Sequence, residues 1–102
     1  MHPSQADGFE WDADNEGELE RAQHPVRPYE AEQVFMRGPR WARNKRDGSG
    51  EWKMIGYTRG GRALTIILTL TDAGRTIRVI TGWDATPAER TKYLNKRQGV
   101  VR

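Results

Sequence analysis

Five cations and one indole fall inside the stretch RGPRWARNKRDGSGE (37–51), and that mixture is where this chain could first do chemistry on a partner. Arginine and lysine neutralise phosphates, and an aromatic ring set among them offers a base a surface to stack on. Arg40, Trp41, Arg43, Lys45 and Arg46 are therefore the candidate nucleic-acid contacts. The segment is a loop or an irregular edge strand, and the same pattern protects such an edge from pairing with its neighbours, a reading favoured because one aromatic is no stacking platform. A second candidate is the junction TGWDATPAERTKYL (81–94), where Trp83 and Asp84 stand between an apolar run and a helix start. Other chemistries are excluded by residue type. There is no cysteine, hence no disulfide, thiolate nucleophile or thiolate metal site. The two histidines, His2 and His24, are too far apart in sequence for a recognised metal-ligand motif, so neither a metal nor a cofactor is expected.

Charge is unevenly divided along the chain. Residues 1–34 hold nine acidic and two basic side chains, net −7, whereas residues 35–102 hold five acidic and fifteen basic ones, net +10. The later part suits a polyanion such as RNA, or else it is a solvated surface balanced internally by the acidic first third. A length of 102 residues gives room for one domain with one modest core. Mean hydropathy of −0.89 is low, but four tryptophans and the apolar run at 64–70 argue against disorder throughout. No 18-residue apolar stretch and no signal-peptide pattern is present, so a soluble cytoplasmic protein with no membrane association is expected.

The elements that must position these residues are legible in outline. Residues 1–8 carry no apolar period and are expected as a flexible tail. FEW (9–11) reads as a short strand, and Asp12 caps a helix running to about Gln23. Pro25 breaks the chain after His24, and Pro28 starts a second helix with Ala31, Val34 and Phe35 as its buried stripe. WKMIGYT, ALTIILTLT and TIRVITGW then read as three antiparallel strands joined at Gly60-Gly61 and Ala73-Gly74. Taken as two-residue hairpin loops, these turns set Leu64 between Tyr57 and Trp83, and Ile66 between Ile55 and Thr81, on the covered face. Arg78, beside Thr69 and Trp52, falls on the less apolar face together with Asp84. Thr86-Pro87-Ala88-Glu89 is a capping box opening a helix over 87 to about 97.

Several of these segments are familiar together. FEWD at 9–12, HPV at 24–26 followed by Tyr29-Glu30-Ala31, EWKMIGYTRGGRALTIILT at 51–69 and IRVITGWDATPAERTKYL at 77–94 resemble, in the same order, the BrnT family of toxins. The resemblance implies an α+β, RelE-like fold: two N-terminal helices and a C-terminal helix packed on a small antiparallel β-sheet of three to five strands. It implies one domain over residues 9–98, with 99–102 as a tail. It also implies a toxin of a type II toxin–antitoxin system that cleaves RNA without a metal, is neutralised by a BrnA-like ribbon-helix-helix antitoxin, and dimerises through it.

By position, His24 matches the histidine of the family's His-Gly-Val, Glu51 the acidic residue before the second strand, Arg62 the arginine of its Gly-Arg turn, and Arg78 the arginine of its Ile-Arg-Ile strand. Those four are the candidate catalytic residues, with Arg78 and Arg62 as phosphate-holding cations and His24 or Glu51 as acid or base. The chain departs from the pattern at Pro25, in place of the glycine, and at Thr81-Gly82-Trp83-Asp84-Ala85, where the family has Ser-Ala-Arg-Arg-Ala. An indole and a carboxylate in place of two cations imply altered or lost catalysis, so the alternative is a degenerate member that binds nucleic acid or protein without cleaving it.

Overall fold

The computed structural model describes residues 1–44 and 51–95. It is an α+β fold built on a five-stranded sheet in the order β1-β5-β4-β3-β2, mixed rather than antiparallel throughout as expected, because the N-terminal strand joins its edge in parallel. β1 (Gly8–Glu10) runs parallel to β5 (Thr76–Asp84), while β2 (Arg40–Arg43), β3 (Trp52–Tyr57), β4 (Ala63–Thr71) and β5 are successively antiparallel. β4, a nearly continuous apolar strand, takes the centre, where its first six residues, 63–68, are buried. No helix among the described residues is long and apolar enough to cross a membrane.

Local sequence sets the helices. Asp12 accepts from the backbone N–H groups of Asp14 and Asn15 and so caps α1 (Ala13–Glu20). The helix stops at Glu20, three residues short of expectation, because the chain turns back for Val26 N–H to reach Leu19 C=O while Val26 plugs the core. Pro28 opens α2 (Pro28–Met36), whose Ala31 and Val34 are buried. The Thr86/Glu89 capping box opens α3 (Pro87–Glu89), which continues as a π turn over Arg90–Leu94 rather than as a regular helix. Its expected end near residue 97 lies outside the described residues.

α1 and α2 cover one face of the sheet, over Met54, Leu64, Ile66, Leu68, Ile77 and Val79. The other face is covered at one end only, where Tyr93 and Leu94 pack on Ile55, Ala63 and Ala85. Residues 1–8, expected as a free tail, are folded down: Pro3 is buried in a 3-10 turn, and His2 lies edge-on to Trp41 and Trp52.

The strand register differs from expectation in two places. The first hairpin pairs Tyr57 with Ala63 and closes through Arg59-Gly60-Gly61, with Thr58 N–H bonded to Arg62 C=O and Gly61 at φ +91°. This is a three-residue loop ending in a left-handed glycine, not a two-residue one. It sets Trp52, Met54 and Gly56, instead of Lys53, Ile55 and Tyr57, opposite the buried row of β4. In the second hairpin the expected pairing holds from Thr71–Thr76 to Leu68–Val79. Ile80 then bulges, and beyond it Ile67 meets Thr81, Thr65 meets Trp83 and Leu64 meets Asp84.

One extra residue exchanges the two faces of everything after it. Trp83 therefore shares the partly covered face with Thr65 and Arg78, whereas Asp84 points under the helices with Leu64. This reverses the expected placement of the pair.

Candidate active site

At the end of the sheet where β4 begins and β5 finishes, three of the chain's chemically capable side chains meet. Asp84 is delivered there by the bulge, Arg62 by the three-residue hairpin, and His24 by the loop between α1 and α2 that Val26 pins to the core. Arg62 Nε donates to Asp84 Oδ1 at 2.7 Å, and the other oxygen of that carboxylate lies 2.7 Å from His24 Nδ1. Arg62 also donates through Nη1 to Glu30 Oε1 (2.9 Å) and Pro25 C=O (2.9 Å), and through Nη2 to His24 C=O (2.7 Å). It thus ties the histidine loop to the sheet through two backbone carbonyls. Proline at position 25 is no obstacle, since a carbonyl is all the contact requires.

The electrostatics follow from these bonds. Arg62 first, then His24, holds the Asp84 carboxyl below its ordinary 3.8 despite partial burial. The bond to Asp84 in turn raises the Arg62 guanidinium above its usual range. An ionised carboxylate only accepts, so the proton of a neutral His24 imidazole sits on Nδ1 and the lone pair on Nε2. The imidazole side chain is 69% exposed. A carboxylate that fixes the tautomer and would stabilise the imidazolium is the arrangement that equips a histidine to move protons.

The other sequence candidates lie elsewhere. Arg78 is not beside Arg62: it stands opposite Thr69, five positions along β4 from the row of Asp84, which is roughly 17 Å at the rise of a strand. It also lies on the other face and donates to Glu10 (3.0 Å) and Asp12 (2.8 Å), joining β1 to the start of α1. The hydrogen bond from Arg78, helped by the Asn15 amide, keeps Asp12 below its ordinary range. Glu51 precedes β3 at the end away from Gly56, and its carboxylate accepts from Asn44 Nδ2 at 3.0 Å. The structure therefore brings His24 and Arg62 together and leaves Arg78 and Glu51 apart from them.

The basic segment is divided between the faces of β2. Trp41 packs edge-on against Phe35 and His2, and the Arg43 guanidinium lies 4.4 Å above the Trp52 ring. Arg40, one step out of phase, faces the opposite way. Lys45 and Arg46 lie outside the described residues. Trp83, expected in the row with Leu64 and Tyr57, is half-buried on the opposite face from Leu64 and donates from Nε1 to Glu89 at 3.2 Å. Partial burial pushes the Glu89 carboxyl up, but the Thr86 amide, the Thr65 hydroxyl and this indole together outweigh it, so Glu89 stays ionised below its ordinary range. The capping residue is thereby also the hinge pin that holds α3 to the sheet.

Glu30 is the member of the site that sequence reasoning left out, and Asp84 was read there as a sign of altered catalysis beside Arg78 rather than as a partner of His24. The signal for Asp84 was present, a carboxylate at a strand end with a histidine and an arginine elsewhere in the motif set. It was obscured by the register. No protein-family model matches this chain, and no curated protein matches it.

Proposed function

We propose that this chain is an RNA-cleaving toxin of the BrnT kind, RelE-like in fold, with His24 as the proton-transfer group. One observation carries the reading: an exposed imidazole whose Nδ1 is held by Asp84, itself held by Arg62. Nε2 would take the proton of a ribose 2′-hydroxyl as that oxygen attacks the adjacent phosphorus. The bond from phosphorus to the 5′-oxygen breaks, and the imidazolium or a water returns a proton to the leaving oxygen, giving a 2′,3′-cyclic phosphate and a 5′-hydroxyl. Asp84 and Arg62 act as positioning residues here, and the replacement of a family cation by Asp84 supplies the histidine with a partner. A BrnA-like antitoxin would neutralise the activity, and expression beside a small ribbon-helix-helix protein from the neighbouring reading frame would relieve growth arrest.

The test is RNA incubated with the wild-type protein and with His24→Ala and Arg78→Ala, followed by analysis of the product ends. The expected result is cleavage by the wild type, a loss of a hundredfold or more in His24→Ala, and cyclic phosphate ends. Equal cleavage by His24→Ala would remove the histidine from the mechanism. A second reading is a binding module without catalysis, and the ion pairing favours it: Arg62 and Arg78 each face two carboxylates rather than an open phosphate site. RNA binding without any cleavage by the wild type would select that reading.

A further inference from the structure

Cations that these ion pairs do not engage gather at the C-terminal end of α2. Arg37 ends that helix and Arg40 begins β2, and between them Gly38 (φ +74°) and Pro39 reverse the chain. The reversal is drawn tightly onto β3. A Cβ on Gly56 would stand 3.1 Å from both Pro39 Cβ and Val34 Cγ1, so glycine is what lets helix and turn lie this close. Tyr93 and Leu94 of the π turn form the opposing wall. The result is a cleft of about 340 Å³ with Arg37, Arg40, Tyr57 and Tyr93 among its lining, and an adjoining space of about 270 Å³ continues past Arg40 and Tyr93 to Lys92.

Three properties of the cleft point to the same ligand chemistry. Among the described residues, neither Arg37 nor Arg40 forms an ion pair with another described residue, in contrast to Arg62 and Arg78. β2 begins opposite Ile55, so Gly56 and Tyr57 have no β2 partner. Alternate residues of a strand direct their peptide groups to opposite sides, so one of the two presents its N–H and C=O toward the cleft. Finally, two phenol rings stand beside the guanidinium groups. Cations with a peptide edge suit a phosphate, and rings next to them suit a base; an acidic peptide would use the first and leave the second idle.

We propose that this cleft binds a nucleotide of single-stranded RNA, with a phosphate between Arg37 and Arg40 and a base against Tyr93. The proposal rests on the RNA-directed reading above and gives it a subsite. Gly56, Leu64 and Asp84 form one cross-strand row, so the backbone of Gly56 in the cleft wall and that of Asp84 in the His24 site are about 10 Å apart at the same end of the sheet, two strand spacings, with Tyr93 on the face opposite the helices. A strand crossing from one to the other would run around the Arg59–Gly61 hairpin tip.

The experiment is fluorescence anisotropy with a labelled single-stranded RNA oligonucleotide carrying 2′-O-methyl groups, which the protein cannot cleave. Wild type is compared with the Arg37→Gln/Arg40→Gln double variant, with Tyr93→Leu, and with Arg75→Gln as a charge control at the far hairpin, across a salt series. Binding by the double variant is expected to fall at least tenfold, and its log–log salt slope to become shallower by about 0.7, the value for one single-strand phosphate contact. Tyr93→Leu is expected to lose about tenfold at every salt concentration, and Arg75→Gln to bind as the wild type does. Thermal unfolding confirms that each variant is folded.

Wild-type affinity in the folded double variant overturns the cleft while leaving the RNA reading intact, provided the wild type still binds and cleaves RNA. No RNA affinity in the wild type at low salt overturns both. Competition by a polyglutamate peptide as strong as that by RNA overturns the assignment in favour of an acidic protein partner.

Discussion

Two ends of α2 treat arginine differently. At its start, Arg62 reaches Glu30 and Asp84 and two backbone carbonyls, and its donors are almost fully engaged. At its finish, Arg37 and, across the turn, Arg40 line an open cleft with no ion pair among the described residues. The first arrangement fixes geometry: it fastens a loop and orders a carboxylate behind a histidine. The second leaves charge available to something outside the chain. Counting cations along the sequence merges these roles, although only the second can neutralise a phosphate without first displacing a carboxylate.

The sharpest way to break the comparison is through the carboxylate that joins His24 to Arg62. Asp84→Asn keeps the shape but lets the amide present a donor to His24 Nδ1, which favours the wrong tautomer. RNA cleavage is expected to fall on the order of a hundredfold, with little change in affinity for the 2′-O-methyl oligonucleotide. An unchanged rate would show that the carboxylate serves the fold alone. Next in size is Arg62→Ala, expected to cost about 2 kcal/mol in denaturant unfolding, because partly exposed ion pairs are screened while two carbonyls and two carboxylates lose a donor together.

The same substitution at Arg37 or Arg40 is expected to stay within about 0.5 kcal/mol, as for other exposed side chains that form no ion pair among the described residues. Equal losses at both ends of α2 would erase the distinction. The smallest effect is in pH. The folded Asp84 carboxyl titrates below its unfolded 3.8, so its contribution to stability is present above that pH and disappears as pH falls through the folded value. The stability difference between wild type and Asp84→Asn is therefore expected to narrow as the protein is acidified below pH 3.8.

What the sequence made legible was local. Asp12, Pro28 and the Thr86/Glu89 box announce their helices through contacts spanning two or three residues, and all three helix starts fall where those residues stand. The strands were visible from their apolar runs, and the sheet's central strand was the most apolar of them. The facing of those strands was not legible. Gly60-Gly61 is compatible with a two- or a three-residue loop, and the choice moves every residue of β3 to the other face. Nor does anything around Ile80 announce a bulge.

Gly82 gives a clue only in retrospect. A Cβ there would stand 2.7 Å from Ile66 Cδ1 and 3.3 Å from Leu19 Cδ2, so the strand passes too close to the covered core for a side chain. Both choices are settled by packing against α1 and α2, which a hairpin considered alone does not contain. This is why the sequence placed Asp84 on the side of Arg78, whereas the structure sets it against Arg62 and His24.

The bulge at Ile80 makes β5 two strands in series. Its first half, Thr76–Val79, is committed to the interior and to the pairing with β1. Its second half, Thr81–Asp84, carries the indole and the carboxylate on a phase of its own. A lineage losing one codon at this point would present Trp83 to the histidine loop and turn Asp84 toward α3, leaving the interior half in place. The contact between Asp84 and the histidine loop thus hangs on a reading length of three bases, with no substitution at His24, Arg62 or Asp84.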